Sequence, residues 1–259
     1  MLMGTNHVGK SSLAAKAEGV FFVDTDAGLD DIDCDRTPTL RDIDSVFEWM
    51  LWLGQQSYKW VAIDTVDMVE KLIQEAVVKA KNAKSFGDSC FDFGRGRKLC
   101  QPYWDRLIRA LTWLQSENNM GVILLTHVEA VDVKPADADA YHRFEPPLDK
   151  DARDQLCDWC TEILCVSFRT MVRSVDTGFN RTRAVAINSD MARFIRTTPT
   201  TGIRAKNRLG LPDEIEFTSP SATWGIIQKH IDAAGGGSDS EGNIDGIVKD
   251  GSSKQLQNV

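Results

Sequence analysis

The sequence predicts an α/β fold built on a mostly parallel sheet with helices on both faces. Three observations predict it: a glycine-rich phosphate-binding loop at the start of the chain, short continuous apolar runs, and stretches of helical period between them. Strands that are apolar throughout, rather than at alternate positions, are buried on both faces, which is the mark of a parallel sheet.

The elements follow in order. Gly4-Thr5-Asn6-His7-Val8-Gly9-Lys10-Ser11 fits G-x-x-x-x-G-K-[ST] at every fixed position. The glycines let the backbone curl so that its N–H groups point at a bound phosphate. Lys10 reaches the β/γ-phosphates and the Ser11 hydroxyl ligates Mg²⁺. Ser12 opens a helix over residues 12–17 whose N-terminus faces the same anion. Gly4 through Ser12 is thus the expected nucleotide cradle, with ATP and Mg²⁺ as its expected ligands. Only Met1, Leu2 and Met3 precede it, so either the start is truncated or a stub of strand feeds the loop.

Residues 20–23 form the next strand, closed by Asp24-Thr25-Asp26, and 43–53 an amphipathic helix rich in Trp and Phe. A second buried strand at 60–63 precedes helix 66–81. Helix 102–117 leads to strand 121–125, a helix follows Asp149, and a strand covers 163–168. Hairpin-like segments at 184–187 and 192–195 form a C-terminal β-hairpin extension. From about Ala233 the chain is rich in Gly, Ser and Asp without apolar periodicity. The expected organisation is one domain over 1–232 and a disordered tail over 233–259.

Composition narrows the class. A hydrophobic fraction of 42% is ordinary for a globular protein. No apolar run is long enough to span a membrane, and the first residues lack a signal peptide. Six scattered cysteines are consistent with reduced thiols in a cytoplasm. Cys157 and Cys160 make the single C-x-x-C, in an apparently helical run that reads better as buried positions than as a zinc or redox site. The net charge of −8 is unevenly spread. Residues 24–48 hold nine acidic side chains against two arginines, and residues 166–210 hold nine basic ones against two aspartates. Head-to-tail assembly or a polyanion on the basic side would suit that segregation, and so would charges dispersed over one fold.

The strand ends carry the chemistry. Val61-Ala62-Ile63-Asp64-Thr65 is an apolar strand ending in an acid that can hold Mg²⁺ through water. Asp67 and Glu70 on the next turn read as a capping acid and a solvated surface acid. Asp26 could orient or deprotonate an attacking water, and His127, after Leu125-Thr126, could sense the γ-phosphate.

These motifs stand in the order of the RecA-like ATPase core, and Lys206-Asn207-Arg208-Leu209-Gly210 resembles the K-N-R-x-G segment of RadA-type proteins. DnaB-type helicases carry a similar K-x-R-x-G. The chain from Gly4 to Ile231 looks most like phage RecA-like ATPases of the single-strand annealing or recombination type. The resemblance implies a catalytic carboxylate at Asp26, one methylene shorter than the usual Glu, and a γ-phosphate sensor at His127. It implies that Lys206 and Arg208 reach a neighbouring subunit's nucleotide, Arg208 as an arginine finger, within a homo-oligomeric ring or filament. It places single-stranded DNA along residues 82–101 and 128–150, where Arg95, Arg97, Lys98, Lys134 and Arg143 are the candidate phosphate contacts. A phage single-strand-binding or replication protein is the further partner implied, and a host cytoplasm the location. Alternatives are a DnaB-like helicase motor, a nucleotide-gated module that does not hydrolyse, and, more weakly, a small-molecule kinase.

Overall fold

The computed structural model describes residues 1–135, 139–169, 171–176, 182–187 and 192–235, the segments 171–176 and 182–187 by their backbone alone. Arg181 and the tail from Gly236 onward lie outside the described residues, as do the side chains of Arg173 and Arg183.

The chain runs β1 (Leu2–Gly4), α1 (Lys10–Ala14), β2 (Val20–Asp24), β3 (Asp35–Arg36), α2 (Ile43–Leu53), β4 (Trp60–Asp64) and α3 (Val66–Ala80). It continues through α4 (Arg95–Asn118), β5 (Gly121–Thr126), β6 (Glu129–Val133), β7 (Tyr141–Glu145), α5 (Lys150–Trp159) and β8 (Leu164–Phe168). Last come β9 (Met171–Asp176), β10 (Thr182–Ile187), β11 (Arg193–Arg196), β12 (Glu214–Glu216) and α6 (Pro220–Gly235). Eight strands form one sheet in the order β12-β11-β8-β1-β5-β4-β2-β3. From β8 to β3 every pairing is parallel, and β11 and β12 close one edge antiparallel. The expected α/β class, with its mostly parallel sheet, is the observed one.

Period-two alternation sorts the strand residues onto two faces. Met3, Phe21, Val23, Val61, Ile63 and Leu124 pack with the buried sides of α2, α3, α4 and α5. Leu2, Phe22, Ala62, Ile123, Leu125 and Val166 pack with Leu13 of α1 and with Trp224 and Ile227 of α6. Both faces are therefore covered, which is why the strands read as unbroken apolar runs.

The stub before the loop is a central strand of the sheet. β1 has three residues, yet it pairs with β5 on one side and β8 on the other and is wholly buried. A side chain at Gly4 would bring its Cβ within 2.3 Å of the Val166 carbonyl oxygen, so only glycine allows this close approach.

Three expectations need correction. α4 begins at Arg95, not at Pro102, which sits inside the helix. Proline reads as a first-turn residue because it lacks an N–H. Here the earlier turns are held by packing: a Cβ on buried Gly96 would lie 2.7 Å from the ring of Phe86, which stacks on Phe91 at 5.1 Å. Arg95, Arg97 and Lys98 are therefore helical, not loop residues. The second concerns residues 128–150, within which β6 and β7 pair antiparallel, Val133 opposite Tyr141. The third concerns the hairpin expected of 184–187 and 192–195: β10 pairs instead with β9, and β11 joins the main sheet beside β8.

Candidate functional site

Strand register brings the chemistry to one edge. Asp24 pairs with Asp64, Asp64 with Leu125, and Thr126 with Met3. The carboxyl ends of four adjacent strands thus deliver Gly4, Asp64, Asp24 to Asp26, and His127 to a common rim, where ligands of parallel sheets bind.

The loop after β1 has the shape the motif requires. Gly9 has φ +100°, a conformation that side chains strain to adopt, and its Cβ position lies 2.7 Å from Nη1 of Arg193. Arg193 donates from Nη1 to the Val8 carbonyl at 3.2 Å and lies over the Phe217 ring at 4.3 Å. Thr5, Asn6 and His7 form an exposed crown. Lys10 is buried, and its Nζ donates to the carbonyls of Gly4 at 3.0 Å and Thr5 at 2.9 Å. Desolvation lowers its pKa, against the pull of Asp64, Asp67 and Asp26. The ammonium is folded into its own loop on two carbonyls, where a polyphosphate would give it stronger partners.

Ser11 and Asp64 meet directly. The Ser11 hydroxyl donates to Asp64 Oδ2 at 2.6 Å. Burial pushes the Asp64 carboxyl up to about 6, although the Ser11 bond and the Lys10 charge pull it down. A buried carboxylate whose charge is this poorly supported, joined to a hydroxyl oxygen, is a hard donor pair that suits Mg²⁺. Among the described residues no cluster of three or more His, Cys, Asp or Glu forms a metal cage. The pair instead fits an ion that takes its other ligands from phosphate and water.

The acids after β2 divide their work. The buried Asp24 carboxylate accepts from the backbone N–H groups of Asp26 at 3.1 Å and Ala27 at 2.8 Å, and from Thr39 Oγ1 at 3.1 Å. It shapes the turn. Asp26 is exposed on that turn; partial burial raises its pKa, and the nearby His127 opposes the rise.

Sequence reasoning missed Asp67. It accepts at Oδ2 from His127 Nδ1 at 2.8 Å and at Oδ1 from the His127 backbone N–H at 3.2 Å. Burial alone would push this carboxyl up, yet the bonds from His127 hold it below its usual value. Glu70 is likewise not a solvated surface acid: it is buried, accepts from the Asp149 N–H at 2.8 Å, and burial pushes it up to about 7.

Lys206, Asn207 and Arg208 behave differently from one another. Lys206 Nζ donates to the carbonyls of Cys157, Asp158 and Cys160 at 3.1, 2.9 and 2.6 Å, capping the end of α5. Asn207 closes its own turn, accepting from Leu211 N and donating to Leu211 O. Arg208 is exposed; its backbone N–H is fixed by Glu162 at 2.6 Å. Within the chain Lys206 is a strut, and Arg208 is the cation displayed. Cys157 and Cys160 are buried at the same helix end, as their spacing predicts.

The candidate nucleic-acid contacts are partly engaged. Arg95 donates to the carbonyls of Ser89 and Asp92, Arg97 pairs with Asp149 at 3.1 Å, and Arg143 pairs with buried Glu145. Lys98 and Lys134 are exposed, and so, at 97%, is Phe93. Through Asp149, Arg97 ties the head of α4 to Glu70 near the start of α3, on the nucleotide side of the sheet.

A nucleotide-binding loop, an acid-tipped strand two places along the sheet and a parallel sheet covered on both faces define a P-loop ATPase core. A family model described as an AAA domain matches residues 1–209, and the chain belongs to that family. No curated protein matches it. No helix among the described residues is long and apolar enough to cross a membrane.

Proposed function

We propose that this AAA-family chain is a RecA-like ATPase that binds single-stranded DNA and acts as a homo-oligomer in phage recombination, annealing or repair. The observation that carries the ATPase part is the Ser11–Asp64 contact beside the buried Lys10. Backbone N–H groups of the loop bind the phosphates, and Lys10 exchanges its two loop carbonyls for β/γ-oxygens. Ser11 and Asp64 hold Mg²⁺, which when bound neutralises phosphate charge. The water-directing acid is Asp26, exposed on the turn after β2. His127 faces the terminal phosphate from the end of β5.

The exposed Arg208 supports completion of the site by a neighbouring copy, in which this guanidinium stabilises charge on the transferring phosphoryl group. Lys206 holds the segment that displays it. Exposed Phe93 with Lys98 at the head of α4 supports a single-strand contact, by stacking and phosphate attraction. ATP turnover measured with and without single-stranded DNA, over a range of protein concentrations, tests the reading. DNA stimulation with a steeper-than-linear dependence on protein is expected. Flat, DNA-indifferent turnover would refute it, and nucleotide binding without turnover would leave a nucleotide-gated assembly module.

A further inference from the structure

Asp67 is the second residue of α3, in its first turn, and His127 follows the end of β5, 60 residues away in sequence. Both carboxylate oxygens of Asp67 are used on this one partner, Oδ2 on the ring and Oδ1 on the backbone N–H. The bonds from His127 keep Asp67 below the usual carboxylate range despite its burial, so it is ionised and can only accept. Nδ1 of His127 must therefore carry the proton. Nε2, on the opposite edge of the ring, makes no hydrogen bond to any described residue.

The surroundings say what that edge faces. Asp26 follows the end of β2, on the same rim of the sheet as the end of β5. Register sets His127 immediately beyond the Thr126–Met3 pair, beside Gly4 at the mouth of the loop. With the Nδ1 proton turned to Asp67, Nε2 is the ring position left over, and whenever the ring carries that one proton Nε2 presents a lone pair, which repels a phosphate oxygen and attracts a water proton. A phosphate sensor needs the opposite, a donor.

We propose that Asp67 and His127 form a dyad in which Asp67 is a positioning residue fixing the Nδ1–H tautomer and His127 Nε2 is the acceptor for the attacking water. This rests on the ATPase reading above and deepens it. As the water oxygen bonds to the γ-phosphorus, its proton passes to Nε2 and the bond to the β-phosphate oxygen breaks, leaving ADP and inorganic phosphate. Asp67 stabilises the imidazolium until the proton is released to solvent, the arrangement by which an aspartate supports a histidine base elsewhere. Asp26 orients the same water from the other side.

Asp67→Asn separates the roles, because its amide keeps an acceptor for the backbone N–H while its NH₂ donates to Nδ1 and forces the Nε2–H tautomer. The dyad predicts unchanged binding of ATP in Asp67→Asn, a fall in kcat of about 100-fold or more, and no further loss when His127→Asn is added. Imidazole ¹⁵N shifts should report Nδ1–H in the wild type and Nε2–H in the variant. Turnover in Asp67→Asn equal to wild type, or additive losses in the double variant, would overturn the dyad alone. A wild type that binds ATP but never turns it over would overturn the ATPase reading as well.

Discussion

Lys10 is held by two carbonyls of its own loop, and the charges of Asp64, Asp67 and Asp26 partly offset its desolvation. Its removal should weaken ATP binding at least tenfold without unfolding the chain, since Gly4 and Gly9 still set the loop; equilibrium titration with a fluorescent ATP analogue checks this. Glu70 gives a pH-dependent prediction. Its folded value of about 7 lies above the ordinary 4.5, so the folded chain binds the proton more tightly than the unfolded chain does. The cost of burying its charge is absent below about pH 4.5 and complete above about pH 7. Glu70→Gln, which keeps the acceptor for the Asp149 N–H, should match wild type in thermal unfolding near pH 4.5 and exceed it by up to about 3 kcal/mol at pH 8. An equal gap at both pH values would contradict the assignment. The loop glycines, Lys10, Ser11 and Asp64 were legible because each is fixed by local spacing. Asp67 was not, because its meaning depends on a partner two elements away, and the same holds for Glu70 and Asp149.

At the scale of elements, α5 ends on a single ammonium. Lys206→Ala leaves the carbonyls of Cys157, Asp158 and Cys160 without their donor and should cost about 1–3 kcal/mol in urea unfolding. Arg208→Ala, exposed at its side chain, should change stability by less than about 0.5 kcal/mol. Strands and helices of the parallel core were legible from periodicity, because burial on both faces writes unbroken apolar runs. α6 was harder to see: Gly225 interrupts it, and its buried face rests on few residues, among them Trp224 set edge-on to Trp60 at 5.7 Å. β6 and β7 read as loop because neither keeps strict alternation: Ala130 and Val131 are adjacent apolar residues, and His142 and Arg143 adjacent polar ones. The head of α4 is held by packing against Phe86 and Phe91, a tertiary effect that overrides the local reading of Pro102.

For the whole molecule, the sheet places the loop, Asp64, Asp26 and the Asp67–His127 pair on one rim, while Arg208 is exposed on the segment between β11 and β12. If that arginine serves a neighbour, Lys10→Ala and Arg208→Ala, each impaired alone, should regain part of the turnover when mixed. The first still offers Arg208 and the second still holds nucleotide; a mixture no more active than its parts would argue for a site complete within one chain. The central claim is that the rim is a nucleotide site built on Lys10, Ser11 and Asp64. Its most direct test is equilibrium binding of ATP with Mg²⁺ to the wild type, Lys10→Ala and Asp64→Asn. Saturable binding at one site per chain, weakened at least tenfold by Lys10→Ala and made insensitive to Mg²⁺ by Asp64→Asn, is the predicted result. Equal affinity in all three chains would contradict it.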